Sequence, residues 1–294
     1  MKTKPRLRFA RVLRGAGIAL GILILLLYIG LPVGMAAVAL WPSRSAPGSP
    51  PAGFEAVTLT AGDGVQLNAW YRPPENGAAI ILLHGAGGTR ESMRPYAEML
   101  ARHGYGVLSL DLRGHGESQG KVNRLGWQGS LDVGAAVAFL QSRPEVQRIG
   151  GLGSSMGGEV LLGAASAYPE LQAIAADGAT RRCLEEYLAL EQNRPLVHNF
   201  TARVMFAAVQ VLSGSAPPLP LLESMQQAPD ARFLFVAAGE NDEEIAFNRL
   251  FAETLGSRAD LWIAPQVGHT GAFARYPDEY ERRITGFFDS ALAQ

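Results

Sequence analysis

Two consecutive serines lie in Gly153-Ser154-Ser155-Met156-Gly157, where an apolar run ends and a helical pattern begins. A strand that turns directly into a helix holds one side chain at the tip of a bend too tight for side chains two positions before and two after. For Ser155 those positions are Gly153 and Gly157. For Ser154 they are Leu152 and Met156, which would clash, so Ser155 is the hydroxyl this bend presents. A serine hydroxyl is a weak nucleophile at neutral pH unless a base takes its proton and an acid fixes the base's tautomer. The chemistry implied is acyl transfer.

In sheets carrying such an elbow the chain order is nucleophile, acid, base. His84 and His115 precede the serine, His103 ends a surface helix, and His198 lies in an inserted segment. His269 remains, in the glycine-flanked loop Gln266-Val267-Gly268-His269-Thr270-Gly271 after the last strand. The acid should follow the strand Arg232–Ala237, where Gly239-Glu240-Asn241-Asp242-Glu243-Glu244 offers four carboxylates; Asp177, after the preceding strand, is an outlying candidate. A developing oxyanion needs two N–H donors, each worth about 2.7–4 kcal/mol in comparable enzymes. Met156, next to the nucleophile, supplies one, and the loop His84-Gly85-Ala86-Gly87-Gly88 supplies the other, with Ala86 preferred.

These residues need a scaffold that brings strand ends together. Phe54–Thr60 and Val65–Tyr71 read as a hairpin around Gly62-Asp63-Gly64. Short apolar runs then alternate with helical patterns, which predicts an α/β fold: a mostly parallel central sheet with helices on both faces. Strands are expected at Ala79–Leu83, Gly106–Leu110, Ile149–Gly153, Gln172–Ala176, Arg232–Ala237 and Leu261–Ala264. Helices are expected at Glu91–His103, Leu131–Leu140, Gly157–Tyr168 and Asp278–Leu292. The rhythm breaks at 180–230, a helical cap insertion containing Pro217-Pro218-Leu219-Pro220.

The N-terminus is a separate object. Residues 1–14 carry six basic side chains and no acid, and 15–41 carry no charge. As a helix, 15–41 would reach about 40 Å, against about 30 Å of bilayer hydrocarbon, so a single transmembrane signal anchor is expected. Pro32 is expected to kink or end it, leaving Gly15–Leu31 as the better-formed part. A cleaved signal peptide is the competing reading, since Ala37-Val38-Ala39 offers a small-x-small site. Either way the basic end stays cytoplasmic and the rest faces the periplasm or the exterior, tethered or secreted. Residues 42–53 form a linker with four prolines, and 54–294 the globular domain. Without the basic N-terminus, 20 basic residues face 27 acidic ones, which excludes nucleic acid as a partner. The lone Cys183 cannot form an intrachain disulfide.

From Phe54 onward the chain resembles the α/β-hydrolase superfamily, and within it the monoacylglycerol-lipase-like and serine-aminopeptidase-like hydrolases. The resemblance rests on His84-Gly85-Ala86-Gly87, Asp111-Leu112-Arg113-Gly114-His115-Gly116-Glu117-Ser118, the elbow at Ser155, Gly239 to Asp242, and Gly268-His269. It implies the triad Ser155, Asp242 and His269, with Glu240 and Glu243 as rivals to Asp242. It also implies a structural role for Asp111–Ser118, with His115 packing a loop. The reaction it implies is hydrolysis of a small-molecule or lipid-like carboxylic ester, with no cofactor and no metal. In the cap, Val204–Val209 offers an apolar lining for an acyl group. Peptide hydrolysis is the alternative, with Glu185, Glu186 or Glu191 meeting a substrate amine, and thioester hydrolysis uses the same machinery. A membrane-tethered binding protein without activity is the reading of another class, and the intact Ser155, Asp242 and His269 set counts against it.

Overall fold

The computed structural model describes residues 5–41, 44–121, 124–190 and 195–293. Its N-terminal helix comprises α1 (Pro5–Leu25), a π-helical turn (Leu26–Gly30) and α2 (Leu31–Ala39). The helix does not end at Pro32, which corrects that half of the expectation. Proline lacks the N–H for an α-helical bond, but the chain widens into the π turn just before it, where the Leu31 N–H bonds Leu26 O, and the helix continues to Ala39. From Phe9 to Ala39 the helix is long and apolar enough to cross a membrane, as an anchor or a signal sequence would be. Residues 44–53 follow without helix or strand but not as a free spacer: the Gly48 N–H bonds Glu91 at 3.0 Å and Arg94 bonds Ser49 O at 2.5 Å.

The domain is an eight-stranded sheet in the order β1-β2-β4-β3-β5-β6-β7-β8. The hairpin β1 (Glu55–Thr60) and β2 (Gln66–Arg72) forms as expected, and β2 lies antiparallel to β4 (Gly106–Leu110). The rest is parallel: β3 (Ala78–Leu83), β4, β5 (Arg148–Ser154), β6 (Leu171–Asp177), β7 (Arg232–Ala238) and β8 (Ala259–Ala264). All six parallel strands lie where the sequence places them, within two residues at either end. Every residue of β3 is buried, because helices cover both faces of the sheet. Ile80 and Leu82 pack toward α3 (Arg94–Arg102), whereas Ile81 and Leu83 pack toward α4 (Gly129–Gln141) and α5 (Met156–Ala164).

Between β6 and β7 the chain makes α6 (Leu184–Ala189), α7 (Leu196–Ser213) and α8 (Leu221–Gln226), the region the sequence sets apart. Helix α9 (Asp242–Leu255) follows β7, and the short α10 (Ala272–Arg275) leads into α11 (Pro277–Ala291). The register pairs Leu83 with Gly153, Gly153 with Ala176, Asp177 with Val236, and Ala238 with Ala264. The carboxyl ends of β3, β5, β6, β7 and β8 therefore lie on one edge, where such sheets bind ligands. Helix α2 packs against α7 above that edge, with Ala36 fully buried among Trp127, Phe206 and Val209.

Candidate active site

Ser155 sits between β5 and α5 with φ 51° and ψ −121°, a conformation L-residues rarely adopt. The flanking glycines make it possible. A Cβ on Gly153 would lie 2.3 Å from the Gly157 carbonyl carbon and the Gly158 nitrogen, and one on Gly157 would lie 2.2 Å from Leu83 O. The bend is tied down by the Ser155 N–H, which donates to Asp177 O at 2.7 Å. The steric argument for Ser155 over Ser154 thus has its physical counterpart.

Ser155 Oγ lies 2.9 Å from His269 Nε2, across 114 residues of sequence. The imidazole comes from the loop after β8, in which Gln266 and Thr270 take positive φ and the Gly271 N–H closes back on Gly268 O at 2.9 Å. Gly178 leaves the ring its place, since a Cβ there would come within 3.0 Å of His269 Cε1. On its other side, His269 Nδ1 is 2.5 Å from Glu244 Oε1. With the Nδ1 proton directed at that carboxylate, the Nε2 lone pair faces the serine hydroxyl.

The carboxylate at His269 is therefore Glu244, and the expectation of Asp242 is corrected. Helix α9 begins at Asp242, which is exposed on its first turn, whereas His269 Nδ1 is paired with Glu244. Glu244 is completely buried two residues on. It accepts hydrogen bonds from the Ala238 N–H at 2.8 Å and Asn241 Nδ2 at 2.7 Å, while its own N–H bonds Asn241 Oδ1 at 3.2 Å. Asn241 is the N-cap of α9, its Oδ1 accepting from the Glu244 N–H while its Nδ2 donates to the Glu244 carboxylate, so the Asn241-x-x-Glu244 pair turns that acid back under the histidine loop. That spacing is visible in the sequence and could have identified Glu244. The rivals are placed elsewhere: Glu240 is exposed, and Glu243 pairs with Arg181 at 2.5 Å.

The Glu244 hydrogen bond raises the His269 pKa above its usual value, against the opposing effect of burial. A second carboxyl, Asp177, is buried nearby beside the Tyr280 hydroxyl, and burial pushes its pKa up to about 7, with Glu244 adding to the effect.

Ala86 and Met156 line one cavity of about 480 Å³ with Ser155 and His269. Met156 is the first residue of α5, so its N–H has no partner within the helix and is available at the positive end of the helix dipole. The loop bearing Ala86 is held by two buried histidines. His84 Nε2 accepts from the Leu112 N–H at 3.1 Å, and His115 Nε2 accepts from the Gly87 N–H at 3.3 Å. Burial lowers both imidazoles to about 4, keeping them neutral as these contacts require. Asp111 orders the same motif by accepting from the N–H groups of Arg90 and Glu117 at 2.7 and 3.0 Å.

The cavity wall also holds Met205 and Phe206 from the apolar segment of α7, Glu159 of α5, and Pro32 and Met35 of the N-terminal helix. The last three were not anticipated, because nothing local in the sequence reports which helix faces will meet. The Glu159 carboxylate accepts from the Thr180 N–H at 3.1 Å and the Arg181 N–H at 3.2 Å, and burial raises its pKa to about 7. Glu185 is exposed, Glu191 lies outside the described residues, and Glu186 is committed to the N–H groups of Arg182, Cys183 and Leu221. No described member of that group is placed to meet a substrate amine.

Residues 74–232, more than half of the chain, match the family described as serine aminopeptidase, S33. Among curated proteins, the uncharacterized protein YfhR of Salmonella typhi is 32% identical over 132 residues, 42% of this chain and 44% of that protein. The matched stretch thus spans less than half of that relative's length. YfhR of Escherichia coli O157:H7 aligns more broadly, 26% identical over 86% of both chains. The thermostable monoacylglycerol lipase of Bacillus sp. (strain H-257) is 37% identical over 101 residues, 33% of this chain and 39% of that enzyme. In three dimensions the Pyrococcus furiosus esterase Pf2001 superposes with a TM-score of 0.67 at 23% identity, covering 86% of this chain and 98% of the esterase. The chain belongs to the family described as serine aminopeptidase, S33, and has the α/β-hydrolase fold.

Proposed function

We propose that the protein hydrolyses carboxylic esters through an acyl-enzyme on Ser155, with His269 as general base and Glu244 as its orienting acid. The observation that carries this reading is the continuous chain Ser155 Oγ, His269 Nε2 and Nδ1, Glu244 Oε1, at 2.9 and 2.5 Å. As Oγ attacks the ester carbonyl carbon, Nε2 takes the hydroxyl proton and the resulting imidazolium is stabilised by Glu244. The oxyanion is received by the N–H groups of Met156 and Ala86. The C–O bond to the alcohol then breaks, Nε2–H protonates the departing alkoxide, and a water activated by the same nitrogen releases the acid. The apolar wall of Met35, Met205 and Phe206 favours an ester with an aliphatic acyl group. We place the catalytic domain on the non-cytoplasmic side, held by the N-terminal helix, because the basic residues precede that helix.

The test is covalent labelling of the full-length protein in detergent with a fluorophosphonate, followed by peptide mapping. A short-chain ester and a fluorogenic aminoacyl amide are assayed in parallel. Label on Ser155, its loss in His269→Ala, and a fall in ester turnover of up to about 10⁶-fold in Ser155→Ala are expected. Near-normal turnover in a clean Ser155→Ala preparation would sink the assignment. A folded protein that takes no label would instead be a binding protein on a hydrolase scaffold.

A further inference from the structure

We infer that the N-terminal helix is part of the substrate site: with α7 it forms a seam that takes the acyl chain of a long-chain ester and leads it from the bilayer to Ser155. This inference rests on the ester-hydrolase reading and names the substrate class for it.

Two cavities lie along the same pair of helices. The one at Ser155 is bounded by Pro32 and Met35 on α2 and by His198, Thr201, Ala202 and Met205 on α7. The second, about 560 Å³, lies further out and is lined by Leu25, Tyr28 and Ile29 on one side and by Leu196, Val197 and Phe200 on the other. Along the N-terminal helix the outer groove takes residues 21–29 and the serine cavity takes Pro32 and Met35, so the two follow one another along the axis across the π turn at Leu26–Gly30. On α7 the outer groove takes Leu196, Val197 and Phe200 and the serine cavity takes His198, Thr201, Ala202, Met205 and Phe206, so the helix turns a face to each while the lining advances along its axis toward the serine. Both helices therefore run from the apolar groove toward the reacting hydroxyl, and Met35 is separated from Leu25 by about 15 Å of helix.

The outer groove is suited to lipid rather than to water. All of its side chains are apolar apart from the Tyr28 hydroxyl, and Leu196 is 87% exposed while Phe200 is 48% exposed. These side chains lie beside a helix that is itself long and apolar enough to span a membrane. The start of α7 therefore meets hydrocarbon beside that helix, and the seam opens laterally into the bilayer. An acyl chain sliding from the bilayer into the seam exchanges one apolar environment for another, whereas a chain arriving from water gains about fourfold in binding for each methylene buried.

A hexadecyl fluorophosphonate carrying a diazirine near the chain terminus tests this in the full-length protein in nanodiscs. After labelling and irradiation, the Ser155 adduct should crosslink to peptides containing residues 24–29 or 196–200. An adduct on Ser155 that crosslinks only elsewhere overturns the inference alone, whereas absence of any Ser155 adduct overturns the serine reading and this inference with it. As a second measurement, Ile29→Trp should fill the groove and lower the dodecanoate-to-butyrate ratio of kcat/KM at least tenfold. An unchanged ratio would also overturn the seam.

Discussion

Replacing Glu244 by Gln separates the acid identified by the fold from the one suggested by the sequence. Glu244 Oε1 receives both His269 Nδ1 and Asn241 Nδ2, and Oε2 receives the Ala238 N–H. A glutamine keeps the shape but carries one oxygen and one NH₂. With its oxygen toward Ala238, the NH₂ confronts His269 and forces the tautomer in which Nε2 carries the proton, so Nε2 can no longer accept one from Ser155. With its oxygen toward His269, the NH₂ meets the Ala238 N–H, two donors in a fully buried space.

The first arrangement is the wrong-tautomer defect, which lowers kcat about 10⁴-fold in a comparable serine enzyme. A fall of about 10³–10⁴ in kcat/KM is expected, or about 4–5.5 kcal/mol of transition-state stabilisation. Either arrangement leaves buried donors unsatisfied, since in the first the NH₂ also meets Asn241 Nδ2, so stability should fall by about 1–3 kcal/mol, read as a lower Tm. Asp242→Asn, at an exposed position on the first turn of α9, should stay within about threefold of wild type, as surface changes usually do. Short-chain ester hydrolysis by matched detergent preparations, each checked for folding by circular dichroism, measures both variants. A hundredfold loss in Asp242→Asn with less than tenfold in Glu244→Gln would refute the argument and return the acid to position 242.

Other consequences follow from the same geometry. Since neutral His269 is the base and Glu244 raises its pKa, kcat/KM for an ester should fall with decreasing pH through a limb above 6.5, and Glu244→Gln should shift the residual limb downward. Asp177 is held at about 7 in the fold and near 3.9 when unfolded, so the folded state binds its proton more tightly and native stability falls as pH rises between those values. Asp177→Asn removes that penalty: its stability relative to wild type should improve by about 4 kcal/mol from pH 4 to pH 8, and parallel denaturation curves across that range would contradict this. Gly157→Ala would set a Cβ against backbone atoms of Leu83 and His84 that cannot move aside, so loss of the folded protein is expected. Gly286→Ala, in a helix with open space at its Cβ, should be neutral or raise Tm slightly.

How much of this was legible in the sequence depends on the range of the interactions that decide each feature. Ser155 could be read because its constraint is local: the clash that selects it involves residues two positions away, and both are glycines. The strands could be read because burial on both faces leaves apolar runs such as Ala78–Leu83. His269 could be reached by chain order, although its contact with Ser155 spans 114 residues. The acid was misread for a local reason that was available but not used. Residues 239–244 look like one polar turn until Asn241 is recognised as the cap of α9, and the cap decides that Glu244, not Asp242, turns back into the protein. That the helix runs on past Pro32 could not be read, because the π turn that absorbs the proline is a response of the whole helix rather than a property of the proline. The meeting of α2 with α7 has no local signature at all. An apolar stripe on a membrane-length helix is what hydrocarbon requires on every side, so periodicity cannot reveal that one stripe, through Pro32 and Met35, instead walls a cavity containing a serine, a histidine and a buried glutamate. Removing the N-terminal helix to obtain a soluble protein would therefore remove part of the wall of the Ser155 cavity.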